Sequence, residues 1–156
     1  MPQEPRLVVV DASVVLKWQL DDEDCVPQAT ALRNDYYARG AVKVIAPQLL
    51  VYEVVNGVAT ATRQKRVAPD KAVEVMSNLI SLGIELREVE PLWVLEVALR
   101  YNLAAYDAAY LVLAEDEKCG LWTGDRAFYL AVKGESSQVR WIGDYFQEGT
   151  TRQSAE

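Results

Sequence analysis

Runs of apolar residues alternate with amphipathic stretches along this chain, and the alternation predicts strands that take turns with helices. The first run, from Leu7 to Val10, contains three valines and stops at Asp11. A continuous β-branched run of this kind is typical of a central parallel strand buried on both faces. A predicted helix over 14–20 follows, so Asp11 lies at a junction between strand and helix. Open α/β sheets bind ligands at such junctions, although Asp11 could equally serve only as the helix cap.

The rest of the chain repeats this alternation. Strands are predicted over 41–46, 84–89, 120–123 and 139–142. Helices are predicted over 24–39, 48–64 with Pro47 at its start, 69–82, 90–102, 103–115 and 125–132. This order implies a parallel sheet with helices on both faces. We expect one domain over 1–156, with a lead-in over 1–6 and a frayed polar tail over 147–156.

Composition narrows the chemistry. The 156 residues include no histidine, which removes the commonest general base and the usual zinc ligand. Cys25 and Cys119 form no CxxC motif, and neither a signal peptide nor a membrane-spanning run is evident, so we expect a cytoplasmic protein with free thiols. The formal net charge of −7 argues against broad, non-specific binding of nucleic acid. The acidic run over 21–24 is interpreted as a solvated loop.

Two acids stand within predicted helices. In the helix over 48–64, Leu50, Val54 and Val58 form a core stripe, and Glu53 beside it is either an edge residue or an inward-facing acid. Asn56 shares much of the face of Glu53 and could bind the same ligand, or it could be exposed.

The second helical acid, Asp107, is the only charged residue between 104 and 114. A helix so apolar is predicted to be buried on most of its surface. Asp107 is therefore either a partly buried acid or an N-cap of a helix over 108–115. Tyr106 and Tyr110 either orient its carboxylate or pack.

A fourth acid repeats the first pattern. Asp125 comes after the strand over 120–123, and Thr123 offers a hydroxyl there as Ser13 does beside Asp11. The carboxyl ends of parallel strands meet at one edge of a sheet, so Asp11 and Asp125 are predicted to share that edge, with Glu53 and Asp107 leaning over it from helices.

If four acids lie close together, their negative charges must be compensated. Two like charges about 4 Å apart repel by about 4 kcal/mol at an effective dielectric constant near 20. Either protons or a divalent cation can supply the positive charge, and a set of oxygen ligands selects Mg²⁺ or Mn²⁺. Carboxylate-held Mg²⁺ is typical of phosphoryl or phosphodiester chemistry, in which an activated water attacks phosphorus. Ser13 and Thr123 would hold a water or a carboxylate in place.

Four segments in this order and spacing resemble blocks of the PIN-domain ribonucleases, in particular the VapC toxins of toxin–antitoxin pairs. They are VVVDASVVLKW, APQLLVYEVVNGV, YNLAAYDAAYLVLAE and LWTGDRAF, and the resemblance runs from Leu7 to about Val132. The resemblance implies a three-layer α/β/α sandwich with about five mostly parallel strands, and a Mg²⁺- or Mn²⁺-dependent endoribonuclease. It assigns catalytic and metal-binding roles to Asp11, Glu53, Asp107 and Asp125, and supporting roles to Ser13, Asn56 and Thr123. It also implies a homodimer and a small antitoxin partner that blocks the acidic cleft.

A local basic track would have to guide the RNA, since the whole molecule is acidic. Basic candidates for phosphate contacts are Lys17, Arg63, Lys65, Arg66 and Arg126. The four tryptophans, at 18, 93, 122 and 141, are predicted to be core or dimer contacts.

Two alternative functions stay open. One is a catalytically silent PIN-like module that binds RNA or protein. The other is a phosphotransfer domain in which Asp11 is phosphorylated, but haloacid-dehalogenase-like phosphatases usually place a second aspartate where this chain has Ser13.

Overall fold

The structure, a computed structural model, describes residues 4–146, and its centre is a five-stranded sheet in which every pairing is parallel. The strands are β1 (Arg6–Val10), β2 (Val42–Pro47), β3 (Glu85–Arg87), β4 (Gly120–Thr123) and β5 (Val139–Trp141), in the order β3-β2-β1-β4-β5. The predicted α/β class and the number of strands are confirmed. Because β1 pairs directly with β4, the residues that come after these two strands meet at one edge of the sheet.

Seven α-helices within the described residues flank the sheet. They are α1 (Ala12–Leu16), α2 (Val26–Tyr37), α3 (Leu50–Arg63), α4 (Pro69–Ile80), α5 (Pro91–Tyr101), α6 (Ala105–Glu117) and α7 (Arg126–Val132), and a short 3-10 helix covers Ile142–Asp144. No helix in this part of the chain is long and apolar enough to cross a membrane.

The core forms where the apolar runs predict it. Val8, Val9 and Val10 of β1 are buried on both faces of the sheet. In α6, every residue from 108 to 114 is buried, as the nearly uncharged pattern of that helix predicts. The stripe of Leu50, Val54 and Val58 on α3 also packs into the core. The burial of α6 fixes the helix that carries Asp107 rigidly against β1, β2 and β4.

Several predicted boundaries are wrong. Pro47 ends β2 rather than starting a helix, because the residue before a proline favours extended backbone and α3 begins only at Leu50. The first helix ends at Leu16, where hydrogen bonds shorten to three-residue spacing. At the sheet edge, β3 has three residues instead of six, because it pairs only with β2. The predicted tail over 147–156 lies outside the described residues, as do residues 1–3 of the lead-in.

A close contact between α1 and α3 positions Glu53. Gly57 on α3 lies against Leu16 on α1, so close that a Cβ at residue 57 would overlap the leucine side chain. The absence of that Cβ lets α3 approach α1. Glu53, one turn before Gly57, is thereby brought beside the junction at Asp11.

Candidate active site

Asp11 is the most enclosed acid of the site. It lies directly after β1 as the N-cap of α1, and the residue is 5% exposed. The Val14 backbone N–H donates to its Oδ1 at 3.3 Å, and the hydroxyls of Ser13 and Thr123 donate to its two carboxylate oxygens. The cap interpretation is therefore correct but incomplete, because two side-chain hydroxyls also hold this carboxylate.

The hydroxyls of Ser13 and Thr123 connect the ends of β1 and β4. The Ser13 hydroxyl oxygen accepts a hydrogen bond from the Gly124 N–H at 2.8 Å, and that of Thr123 accepts one from the Asp125 N–H at 2.9 Å. Asp125 caps α7 by accepting from the Phe128 N–H at 3.1 Å. Both junctions are thus joined by one hydrogen-bond network, which places Asp11 and Asp125 at the same edge of the sheet.

The two helical acids reach this edge from α3 and α6. Asp107 lies in the first turn of α6, whose N-cap is Ala104, so the alternative in which Asp107 caps a helix over 108–115 is wrong. Glu53 is half-buried, and its Oε1 accepts a hydrogen bond from the hydroxyl of Tyr110 at 2.7 Å. Tyr110 therefore contacts Glu53, the acid of another helix, while Tyr106 is exposed.

The pKa values show that these carboxyl groups interact electrostatically. Burial raises the pKa of Asp11 to about 7, and the negative charge of Asp125 adds to this, while hydrogen bonds from Ser13 and Thr123 act in the opposite direction. Burial also raises the pKa of Asp107 to about 6, with repulsion from Asp125 and Glu53 as smaller causes. Two acids from strand ends and two from helices therefore form one electrostatic cluster.

This cluster suits a hard cation that is bound partly through water. All its donors are oxygens, and the raised pKa values mean that a positive charge would be favourable there. Within residues 4–146, no three acids, cysteines or histidines are close enough to form a complete ligand set. Mg²⁺ does not require one, since it usually keeps several waters and is bound by one or two carboxylates. The residues present therefore fit Mg²⁺ or Mn²⁺.

The predicted basic residues differ in their surroundings. Lys17 is 6% exposed, and its side chain lies over Gly124, where a Cβ would be 2.6 Å from Lys17 Cε and 3.3 Å from Nζ. No ion pair of its ammonium occurs among the described residues. Arg66 instead bonds to Asp22 at 2.8 and 2.9 Å and to Glu23 at 2.7 Å. The acidic run over 21–24 is thus a solvated loop only in part.

The remaining predicted polar residues are open to solvent. Those are Asn56, Arg63, Lys65 and Arg126. Asn56 lines a groove of about 1160 Å³ that also contains Ser13 and Glu53 and is otherwise mostly apolar. The groove places apolar side chains immediately beside the acids.

Of the four tryptophans, Trp18 and Trp122 are buried, and Trp93 and Trp141 are half-buried.

Two features of the site were not assigned from the sequence. The sequence alone does not decide whether Tyr110 orients a carboxylate or packs, although its position three residues after Asp107 on one helix face indicates the first. For the close passage of Lys17 over Gly124, the sequence offers only a weak indication, namely a glycine directly after a predicted strand.

Comparison with known proteins gives a family match. The family model for the PIN domain matches residues 8–133. A VapC ribonuclease of Mycobacterium bovis and Ribonuclease VapC9 of Mycobacterium tuberculosis are each 30% identical over 122 residues, which is 76% of this chain and 86% of the relative.

Solved structures show the same fold. PAE2754 from Pyrobaculum aerophilum superposes with a TM-score of 0.63 at 24% identity, over 88% of this chain and 92% of that one. VapC20 of Mycobacterium tuberculosis, described as a Sarcin-Ricin loop cleaving toxin, superposes with a TM-score of 0.56 at 14% identity, over 80% and 94%.

Proposed function

This chain belongs to the PIN domain family, and on that basis we propose that it is a Mg²⁺- or Mn²⁺-dependent endoribonuclease, the toxin of a toxin–antitoxin pair. The observation that carries the proposal is the mutual electrostatic influence of four acids at one edge of the sheet. Asp125 raises the pKa of both Asp11 and Asp107, and Glu53 raises that of Asp107 as well. The VapC ribonucleases that resemble this chain over three quarters of its length support RNA as the substrate.

The four acids have two roles in this proposal. Asp11, Asp107 and Asp125 would hold the cation, one or two of them directly and the rest through its waters, and Glu53 would either join them or orient the attacking water. When bound, the cation supplies Lewis-acid activation of water and stabilises charge on the leaving oxygen. Ser13 and Thr123 keep the Asp11 carboxylate in one orientation through their hydrogen bonds. No side chain of the protein serves as the nucleophile, so no covalent phosphoaspartate forms.

Binding of the RNA backbone would depend on a few basic side chains. With a net charge of −7, the molecule as a whole repels RNA, so contacts must be local. Lys17 is the candidate for a contact beside the acids: the residue is 6% exposed, but its ammonium has no ion pair among residues 4–146 and lies beside Gly124, directly after β4. Arg66 is less suited, since Asp22 and Glu23 already occupy its guanidinium. Arg63, Lys65 and Arg126 are exposed and would act in outer contacts.

A protein partner would cover the acids. The groove that contains Ser13 and Glu53 is lined mainly by apolar side chains of α1, α3, α5 and α6, among them Leu16, Val94 and Ala98. An antitoxin segment with apolar side chains and one basic residue would match both the walls and the acidic end. We place the pair in the cytoplasm, where its RNA would be found.

A second copy of the chain is the proposed partner of α5. Leu92, Leu95 and Leu99 are 76%, 56% and 74% exposed. Their spacing puts them on one side of the helix, and a stripe of exposed leucines is typical of an interface. We propose that this leucine stripe, residues 92, 95 and 99, packs in a homodimer.

The experiment that tests the function is cleavage of a mixed pool of structured and single-stranded RNAs. Purified protein, free of any bound inhibitor, is incubated with Mg²⁺, with Mn²⁺ and with EDTA. Cutting that requires either metal and stops in EDTA is the expected result. Absence of cutting under every metal condition would favour the silent RNA- or protein-binding module. Transfer of phosphate from a labelled donor to Asp11 would favour the phosphotransfer alternative.

A further inference from the structure

Tyr110 connects three parts of the candidate active site. Its ring is buried in the core, with 1% of the residue exposed, and only its hydroxyl reaches the acids. That hydroxyl donates to Glu53 Oε1 at 2.7 Å, and it lies close enough to the start of α1 for the Ala12 backbone N–H to influence it electrostatically. One hydroxyl thus links α6 to α3, beside the turn after Asp11.

The direction of this hydrogen bond is fixed by its acceptor. A carboxylate accepts hydrogen bonds and has no proton to give, so the phenol supplies the proton of this bond and Glu53 accepts it. Glu53 receives this bond on Oε1 only. Among the described residues, no hydrogen bond to Oε2 is present, so this oxygen is the one available for a ligand.

Glu53 would be poorly held without Tyr110. A glutamate has three rotatable side-chain bonds, and α3 alone does not select among its rotamers. Repulsion between Glu53 and Asp107 also opposes their approach. The Tyr110 hydroxyl offsets both effects, because a hydrogen bond to a charged acceptor is stronger than one between neutral groups.

We propose that Tyr110 is a positioning residue, which holds Glu53 by its Oε1 so that Oε2 faces the cation or water at the acidic cluster. The inference rests on the proposed function, since it assigns the residue that aligns one of the four acids. Asp107 and Tyr110 lie three residues apart on α6, so this rigid helix would set the position of two acids at once, one directly and one through a hydrogen bond.

The test compares binding of Mg²⁺ alone, measured by titration calorimetry, in the wild type and in Tyr110→Phe. The substitution keeps the buried ring and removes the hydroxyl. Loss of a group that orients a metal ligand typically weakens metal affinity by about 10- to 100-fold, and a change of at least about tenfold is expected. Tyr106→Phe is the matched control, because it removes a hydroxyl from the same helix at a 57% exposed position.

A second pair of variants separates positioning from general destabilisation. If Tyr110 acts through Glu53, adding Tyr110→Phe to Glu53→Gln should change the Mg²⁺ affinity by about twofold or less, since the carboxylate to be positioned is gone. A purely structural role would weaken binding equally in both backgrounds and would overturn the inference. Unchanged affinity in Tyr110→Phe, with normal binding by the wild type, would overturn the inference and leave the proposed function standing. A wild type that binds no Mg²⁺ would overturn the proposed function as well.

Discussion

The hydroxyl of Thr123, at the end of β4, donates a hydrogen bond to the carboxylate of Asp11, at the end of β1. Both residues are buried, and 112 positions separate them in the chain. The bond spans two strands paired at Val10 and Trp122. It therefore ties the geometry of the acidic cluster to the centre of the sheet, and the carboxylate cannot move without disturbing the core.

Replacing Thr123 by valine should destabilise the fold, most strongly where Asp11 is ionised. The change nearly keeps the side-chain volume and removes the hydrogen bond to the buried Asp11 carboxylate, which costs about 1–3 kcal/mol. It also removes the acceptor of the Asp125 N–H, a loss that is the same at every pH. Because the pKa of Asp11 is about 7, the loss of unfolding free energy should be larger at pH 8 than at pH 5.5. Urea denaturation at the two pH values measures it.

Thr62→Val is the control for that experiment, since the Thr62 hydroxyl donates to the neutral carbonyl of Val58 at 2.8 Å. Its effect should not depend on pH. An equal loss for Thr123→Val at both pH values would show that the charge of Asp11 does not matter to the bond.

The raised pKa of Asp107 predicts how stability without metal depends on pH. A carboxyl whose folded pKa is about 6 keeps its proton longer than in the unfolded chain, so its contribution to stability falls as pH rises from about 4 and is lost above about 6. Asp107→Asn removes this loss. Relative to the wild type in EDTA, its melting temperature should therefore increase between pH 5 and pH 8.

Asp116→Asn serves as the control, because Asp116 is an exposed acid on the same helix, and it should show no such trend. Adding Mg²⁺ should raise the melting temperature of the wild type and leave that of Asp107→Asn nearly unchanged. If Asp116→Asn showed the same change in melting temperature with pH as Asp107→Asn, Asp107 would not be the cause of that change.

Lys17→Met should impair RNA turnover more than loss of any exposed basic residue. Methionine retains an unbranched apolar stem, so the packing over Gly124 persists while the charge is removed. We expect kcat/KM to fall by about tenfold, which corresponds to one charge-assisted contact of about 1.4 kcal/mol. Lys65→Met, at an exposed position, should cost much less. Equal effects of the two substitutions would contradict a special role for Lys17.

Leu99→Lys should convert a dimer into a monomer. A charge within the leucine stripe would be buried without a partner in the proposed interface, which is strongly unfavourable. Light scattering coupled to gel filtration measures the mass directly. Leu130→Lys, at an exposed leucine of α7, should leave the mass unchanged. A wild type that is monomeric at all concentrations would contradict the homodimer.

The strand positions and the edge of the sheet that holds the acids were predictable for a simple reason. An apolar run that ends near an acid indicates both a buried strand and the junction after it, as at Asp11 and Asp125. The two junctions are neighbours because the carboxyl ends of parallel strands meet. Burial of α6 was equally predictable, since a helix with one charge in the stretch from 104 to 114 has no polar face to expose.

Other features depend on partners distant in sequence. Nothing near Arg66 indicates that its guanidinium bonds to Asp22 and Glu23, which lie more than 40 positions earlier. The bond between Tyr110 and Glu53 spans 57 positions and requires the close approach of α3 that Gly57 allows. Helix ends were misplaced where a proline or a shortened final turn decides them, as at Pro47 and Leu16.

The most direct test of the central claim is the rate at which matched variants cleave one RNA in Mg²⁺. Wild type, Asp107→Asn and Asp116→Asn are purified identically and compared under single-turnover conditions, with the same excess of enzyme over RNA. The proposed site predicts that Asp107→Asn loses at least about 100-fold in rate, because a metal ligand is removed, while Asp116→Asn cleaves as fast as the wild type. Equal cleavage by all three proteins would show that the activity does not arise at this acidic cluster.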